Sequence, residues 1–281
     1  MTWRELWAQT AATVGDRACA RWLCEVAASA EDGDDFVAML DDAPTDRMVA
    51  HLDAMLARLA TGEPLQYVLG QCSFRRIELA IDQRVLIPRP ETELVAGVAI
   101  EKAMSVGPPR TVADLGTGSG AIGLSLAFEL PIDGTTVWIT DASTDALDVA
   151  RANLAGLGRA GRNVRVGSGR WFDALPADVA FDVIVSNPPY IEVGSPEVDA
   201  SVTAWEPAAA LFSGDDGLED LRLLVAGAPS RLNRGGWIVL EIGSQQGAAV
   251  ATLLHEHRYV DVGIRQDLAG HDRIAIGRRP G

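Results

Sequence analysis

The chain has 281 residues, enough for one large domain or two smaller ones. Hydrophobic residues make up 48%, mean hydropathy is only +0.10, and no apolar run approaches the ~20 residues of a membrane span. With 39 acidic against 24 basic residues the net charge is −15, which argues against a protein that grips nucleic acid by its phosphates. No basic-then-apolar segment opens the sequence, so a cytoplasmic protein without membrane attachment is expected. Cys19, Cys24 and Cys72 form no CxxC pair, and His255 and His257 merely flank Glu256 on an amphipathic stretch. Free thiols and no metal site are expected.

Residues 1–70 read as helical, without a strand signal. Ala20, Leu23, Val26 and Ala27 make one apolar face, and Met48, Leu52, Met55, Leu56 and Leu59 make another. Gly62 and Pro64 stop the second helix. The acids Glu31, Asp32, Asp34, Asp35, Asp41 and Asp42 give this bundle a solvated, negative surface. Residues 71–87 alternate apolar and polar, as in Arg76-Ile77-Glu78-Leu79, and suggest a hairpin linker. Pro88 to Glu93 then reads either as a proline-bounded turn before a helix or as a lid over a cleft.

From residue 88 onward, strands alternate with helices. Strands are predicted over 111–115, 137–140, 164–166, 181–186 and 237–242. The helices fall at 121–130, 145–157, 218–232 and 245–257. This order predicts an α/β domain with a Rossmann-like parallel sheet covered on both faces. Two more strands, near 260–265 and 273–277, should pair antiparallel at the sheet edge.

The sharpest local signal is Asp114-Leu115-Gly116-Thr117-Gly118-Ser119-Gly120-Ala121. A strand ends, glycines turn the chain and a helix begins. The helix N-terminus offers free N–H groups to an anionic or polar ligand. Asp141, 25 residues after Gly116, ends the next strand and can accept from both hydroxyls of a ribose. Its alternative role is to cap the following helix, which Ser143 or Thr144 would do better. Adenosine in a nicotinamide cofactor and in S-adenosylmethionine would satisfy this half-site equally.

The choice comes from Ser186-Asn187-Pro188-Pro189-Tyr190, at the end of the fourth strand. Ligands in such sheets bind beyond the carboxyl ends of the strands. The two prolines remove N–H donors, which leaves acceptors: the Asn187 side-chain oxygen and the Pro188 carbonyl. Two fixed acceptors suit the two hydrogens of an NH₂ group whose nitrogen is to be methylated. Tyr190 can pack its ring over a planar amide. Nothing in the sequence offers a hydride-transfer partner, so a methyltransferase is the preferred reading over an oxidoreductase.

At these residues the chain resembles the release factor glutamine methyltransferases, the PrmC/HemK family. The resemblance extends through Gly62-Glu63-Pro64-Leu65-Gln66-Tyr67, Ile87-Pro88-Arg89-Pro90-Glu91-Thr92-Glu93, Glu206-Pro207, Gly214-Asp215-Asp216-Gly217, Leu240-Glu241-Ile242-Gly243 and Asp267 to Arg273. It implies a seven-stranded methyltransferase sheet over 88–281 behind a helical domain, 1–70, that docks the release factor. It implies S-adenosylmethionine held by Gly116, Thr117, Gly118, Ser119, Gly120, Asp141, Trp171 and Asn187. It gives catalysis to Asn187 and Pro188, and substrate binding to Asn187, Pro188, Pro189 and Tyr190. The acceptor would be the glutamine of the Gly-Gly-Gln motif in bacterial class I release factors. A ribosomal-protein glutamine, or an amino group of adenine or cytosine, would present similar geometry. The family often carries an acid before its Trp-Phe pair. Here Arg170 precedes Trp171-Phe172, and Asp173 is the neighbouring acid.

Overall fold

A computed structural model describes residues 1–195 and 199–281. The chain divides into two compact units, Met1–Gln71 and Cys72–Gly281.

The first unit holds α1 (Trp3–Val14), α2 (Arg17–Ala28), α3 (Gly33–Ala38), α4 (Asp46–Leu59) and α5 (Leu65–Leu69). Side-chain caps set the starts of the first four. Thr2 and Glu5 form a capping box at α1, while Asp16, Asp32 and Thr45 accept backbone N–H groups at the next three. Asp32, one of the acids assigned to a solvated face, therefore also fixes a helix. The core gathers Trp3, Leu23, Phe36, Leu52 and Met55, with Trp3 edge-on to Phe36 at 5.8 Å. Arg58 closes the turn after α4 by donating to both Glu63 oxygens and to the carbonyls of Tyr67 and Val68.

The chain then forms a hairpin, β1 (Gln71–Phe74) with β2 (Ile77–Ala80). Asn153 holds β2: it accepts from Ala80 N at 2.8 Å and donates to Ala80 O at 2.9 Å and Ser119 O at 2.8 Å.

The second unit continues with α6 (Pro90–Ser105), β3 (Arg110–Leu115), α7 (Ala121–Glu129), β4 (Thr135–Asp141), α8 (Thr144–Gly156), β5 (Val164–Ser168) and β6 (Phe181–Ser186). After these come α9 (Ala200–Trp205), α10 (Glu219–Gly227), β7 (Leu232–Glu241), α11 (Gly247–Glu256), β8 (Val260–Gln266) and β9 (Asp272–Arg278). Seven strands form one sheet in the order β5-β4-β3-β6-β7-β9-β8. The first five are parallel, and β9 pairs antiparallel with both β7 and β8. Strands β3 and β6 are buried almost throughout, as expected where helices cover both faces.

Two predicted boundaries shift by five residues. The helix predicted over 218–232 ends at Gly227, and Pro229 sits at the start of a 3-10 turn, Ala228–Ser230. Proline lacks the N–H that would continue the α-helix. Strand β7 begins at Leu232 rather than 237 and passes through Gly235 at φ +78°. Glycine there breaks the apolar alternation that marks a strand in sequence.

Candidate active site

Strand order reverses beside β3: β4 lies on one side and β6 on the other. Open α/β sheets form their ligand crevice at such a point. The register pairs Asp114 of β3 with Val185 of β6. Gly116 and Asn187 thus each lie two residues beyond one rung, on strands about 4.8 Å apart. The two sequence motifs emerge side by side.

On the donor side, Gly116, Gly118 and Gly120 have φ of +70°, +55° and +91°. These left-handed conformations explain why the turn is glycine-rich. A side chain at Gly118 would meet nothing within 4 Å among the described residues, which leaves open space over its backbone. Asp141 is half-buried and shapes the turn: one oxygen accepts from Gly118 N at 2.9 Å and the other from Ser143 N at 2.8 Å. Ser143 itself caps α8. Thr117 and Ser119 are buried. The Thr117 hydroxyl donates inward to Asp114, leaving its main chain for the turn.

Asp114 is 1% exposed, and one of its oxygens has no hydrogen-bond partner among the described residues. Burial pushes its carboxyl up to about 7, and the charge of Asp141 pushes the same way. The bonds from Thr117 and Gly123 N oppose them.

Trp171 lies against the glycine turn, its ring 3.1 Å from where a Gly116 Cβ would stand. Its Nε1 donates to Asp220 Oδ1 at 3.1 Å, and the Arg170 guanidinium donates to the same oxygen at 3.0 Å. The acid beside Trp171 therefore comes from α10, nearly fifty residues downstream, while Asp173 is exposed.

On the acceptor side, Pro188 is buried and Asn187, Pro189 and Tyr190 are half-buried. A cleft of about 720 Å³ opens here, lined by Asn187, Tyr190, Arg89, Glu241, Gln246 and Arg273 among others. Several of these carry chemistry that sequence reading assigned to no role. Gln246 donates to Tyr190 O at 2.9 Å and to Gly217 O at 3.2 Å, which anchors the end of the Asn-Pro-Pro-Tyr loop. Glu206 is 6% exposed; it accepts from Ile87 N at 3.1 Å and from Arg89. Glu241 ends β7, 1% exposed, and accepts from Thr92 and Tyr190. One signal could have revealed Glu241: an acid in a strand otherwise apolar from Trp237 to Ile242.

A glycine turn and an acceptor-rich loop on adjacent strands of this sheet define a methyltransferase of the Rossmann-like class. The methyltransferase small domain model matches residues 98–210, and the PrmC N-terminal domain model matches residues 9–70. A methyltransferase from Pyrococcus furiosus shares the fold, with a TM-score of 0.54 at 17% identity, over 82% of this chain and 100% of that one. The release factor glutamine methyltransferase of Xylella fastidiosa (strain Temecula1) is 45% identical over 81% of each chain. That of Vibrio cholerae is 40% identical over 82% of this chain and 78% of its own. The chain belongs to the release factor glutamine methyltransferases.

Proposed function

We propose that the protein transfers the methyl of S-adenosylmethionine to the side-chain amide nitrogen of the glutamine in the Gly-Gly-Gln motif of class I release factors. The carrying observation is the register that brings the glycine turn and Asn187 to the same level on adjacent strands at the strand-order reversal. Family membership supplies the acceptor class.

The donor half-site fits S-adenosylmethionine. Open space over Gly118 admits a ligand against the main chain, and each Asp141 oxygen keeps a lone pair free for a ribose hydroxyl. Trp171 offers an apolar wall beside Gly116. When bound, S-adenosylmethionine supplies an electrophilic methyl on a positively charged sulfur.

The protein's own part is positioning. An amide nitrogen is a weak nucleophile because its lone pair is delocalised. Asn187 Oδ1 and the Pro188 carbonyl accept the two amide hydrogens and aim the nitrogen at the methyl. Acceptors off the amide plane favour the pyramidal nitrogen of the transition state. Gln246 fixes the loop through the Tyr190 carbonyl, so the acceptors need not reorganise. The helical unit, 1–70, docks the release factor in this reading.

The test is one incubation of protein, labelled S-adenosylmethionine and purified release factor, with the labelled residue mapped by mass spectrometry. Label on the Gly-Gly-Gln glutamine, lost in a Gln→Ala release factor, is expected. Asn187→Ala should abolish transfer while leaving cofactor affinity mostly intact; unchanged turnover would refute the acceptor role. Label appearing only on a ribosomal protein or on nucleic acid would overturn the substrate assignment.

A further inference from the structure

An asparagine amide is nearly symmetric in shape but opposite in chemistry at its two ends. Asn187 serves as an acceptor only while its oxygen faces the cleft; a half-turn of the amide presents NH₂ instead, which repels an incoming amide NH₂. The turn is decided beneath the site. Asn187 Nδ2 donates to Thr92 Oγ1 at 3.3 Å, and Thr92 Oγ1 donates to Glu241 Oε2 at 2.7 Å. Thr92, on the first turn of α6, is 4% exposed.

A hydroxyl has one proton. An ionised Glu241 accepts only, so Thr92 must spend its proton there. Thr92 can then only accept from Asn187, which turns Nδ2 inward. The other Glu241 oxygen accepts from Tyr190 Oη at 3.2 Å, so both polar side chains of the Asn-Pro-Pro-Tyr loop converge on one buried carboxylate.

We propose that Thr92 and Glu241 are positioning residues that fix the direction of the Asn187 amide, and that an ionised Glu241 sets the acceptor orientation. This rests on the reading of Asn187 as the acceptor of the substrate amide. Protonation reverses the relay. A neutral Glu241 can donate to Thr92, Thr92 then donates to Asn187, and the amide turns its oxygen inward and its NH₂ to the substrate.

The charges around Glu241 come from each packed element. Glu91 of α6 pushes its carboxyl up. Arg273 of β9 pulls it down, as do the bonds from Thr92 and Tyr190. Burial is the largest effect and leaves it at about 7. Methyl transfer should therefore fall as pH drops through that region.

The experiment is steady-state methyl transfer to purified release factor between about pH 5.5 and 9, with S-adenosylmethionine affinity measured by calorimetry. Thr92→Val keeps the shape and removes the hydroxyl. It should lower kcat at least about 10-fold at pH 8, the size of one lost hydrogen-bond preference. It should also erase the acid limb and leave cofactor affinity within about twofold. Thr92→Ser keeps the hydroxyl and should restore both rate and limb. Glu241→Gln, whose amide can donate to Thr92, is the second variant and should be slow at every pH. Parental kcat and an unmoved acid limb in either variant, alongside an inactive Asn187→Ala, would overturn the relay and spare the acceptor role. An active Asn187→Ala would instead remove the reading on which it rests.

Discussion

Replacing Asp141 probes the donor half-site most directly. Its two oxygens each receive one backbone N–H, from Gly118 and Ser143, and each keeps capacity for one ribose hydroxyl. If Asp141 holds the ribose as proposed, Asp141→Ala removes both of those bonds. A charge-assisted bond contributes about 1.5 kcal/mol at the low end of its range, and about 1.4 kcal/mol is a factor of ten in affinity. Two such bonds at a half-buried carboxylate set a loss of about 10- to 100-fold. Asp141→Asn keeps one acceptor oxygen and should fall at the lower end. Asp141→Ala also strands the Gly118 and Ser143 amides, so a fall of about 1–2 kcal/mol in unfolding free energy should accompany it. Titration calorimetry with S-adenosylmethionine reads the first effect and denaturant unfolding the second. Equal cofactor affinity in Asp141→Ala and the parent would reject the ribose assignment.

Two other expectations concern the acceptor loop and the buried acids. Gly217 sits at φ +70°, and a Cβ there would stand 2.4 Å from the Tyr190 carbonyl oxygen. Gly217→Ala should cost about 1–3 kcal/mol of stability and displace the loop, lowering kcat at least about 10-fold with little change in cofactor affinity; parental turnover would show that the loop tolerates the shift. Asp114 binds its proton more tightly folded than unfolded, so its contribution to stability is full below about 3.8 and is lost as pH rises through about 7. Asp114→Asn removes this titration. On the order of 2–3 kcal/mol of the stability lost between pH 5 and pH 8 should disappear, leaving the slope due to Glu241. Denaturant unfolding at the two pH values measures it, and an unchanged difference would refute the assignment.

The parts of the site legible in sequence were those written in consecutive residues. Asp114 to Ala121 and Ser186 to Tyr190 each join a strand end to a turn, so local chemistry was enough to find them. The alternation of strands and helices likewise predicted the parallel sheet and its antiparallel edge. The supporting shell was not legible, because its members are far apart in the chain. Thr92 and Glu241 are 149 residues apart, and Trp171 and Asp220 are 49 apart. Those pairs exist only because α6 packs against β7 and α10 returns to the Trp171 turn. Helix α10 ended early for a local reason, Pro229, that the apolar pattern around it masked.

Asn153 has a consequence for how strain travels. Its one amide clamps both main-chain groups of Ala80 on the hairpin and the Ser119 carbonyl in the glycine turn. A tug on the hairpin is thereby delivered, through a single planar group, to the Ser119–Gly120 peptide. Asn153 makes the geometry of the glycine turn answerable to a segment that contributes no residue to that turn.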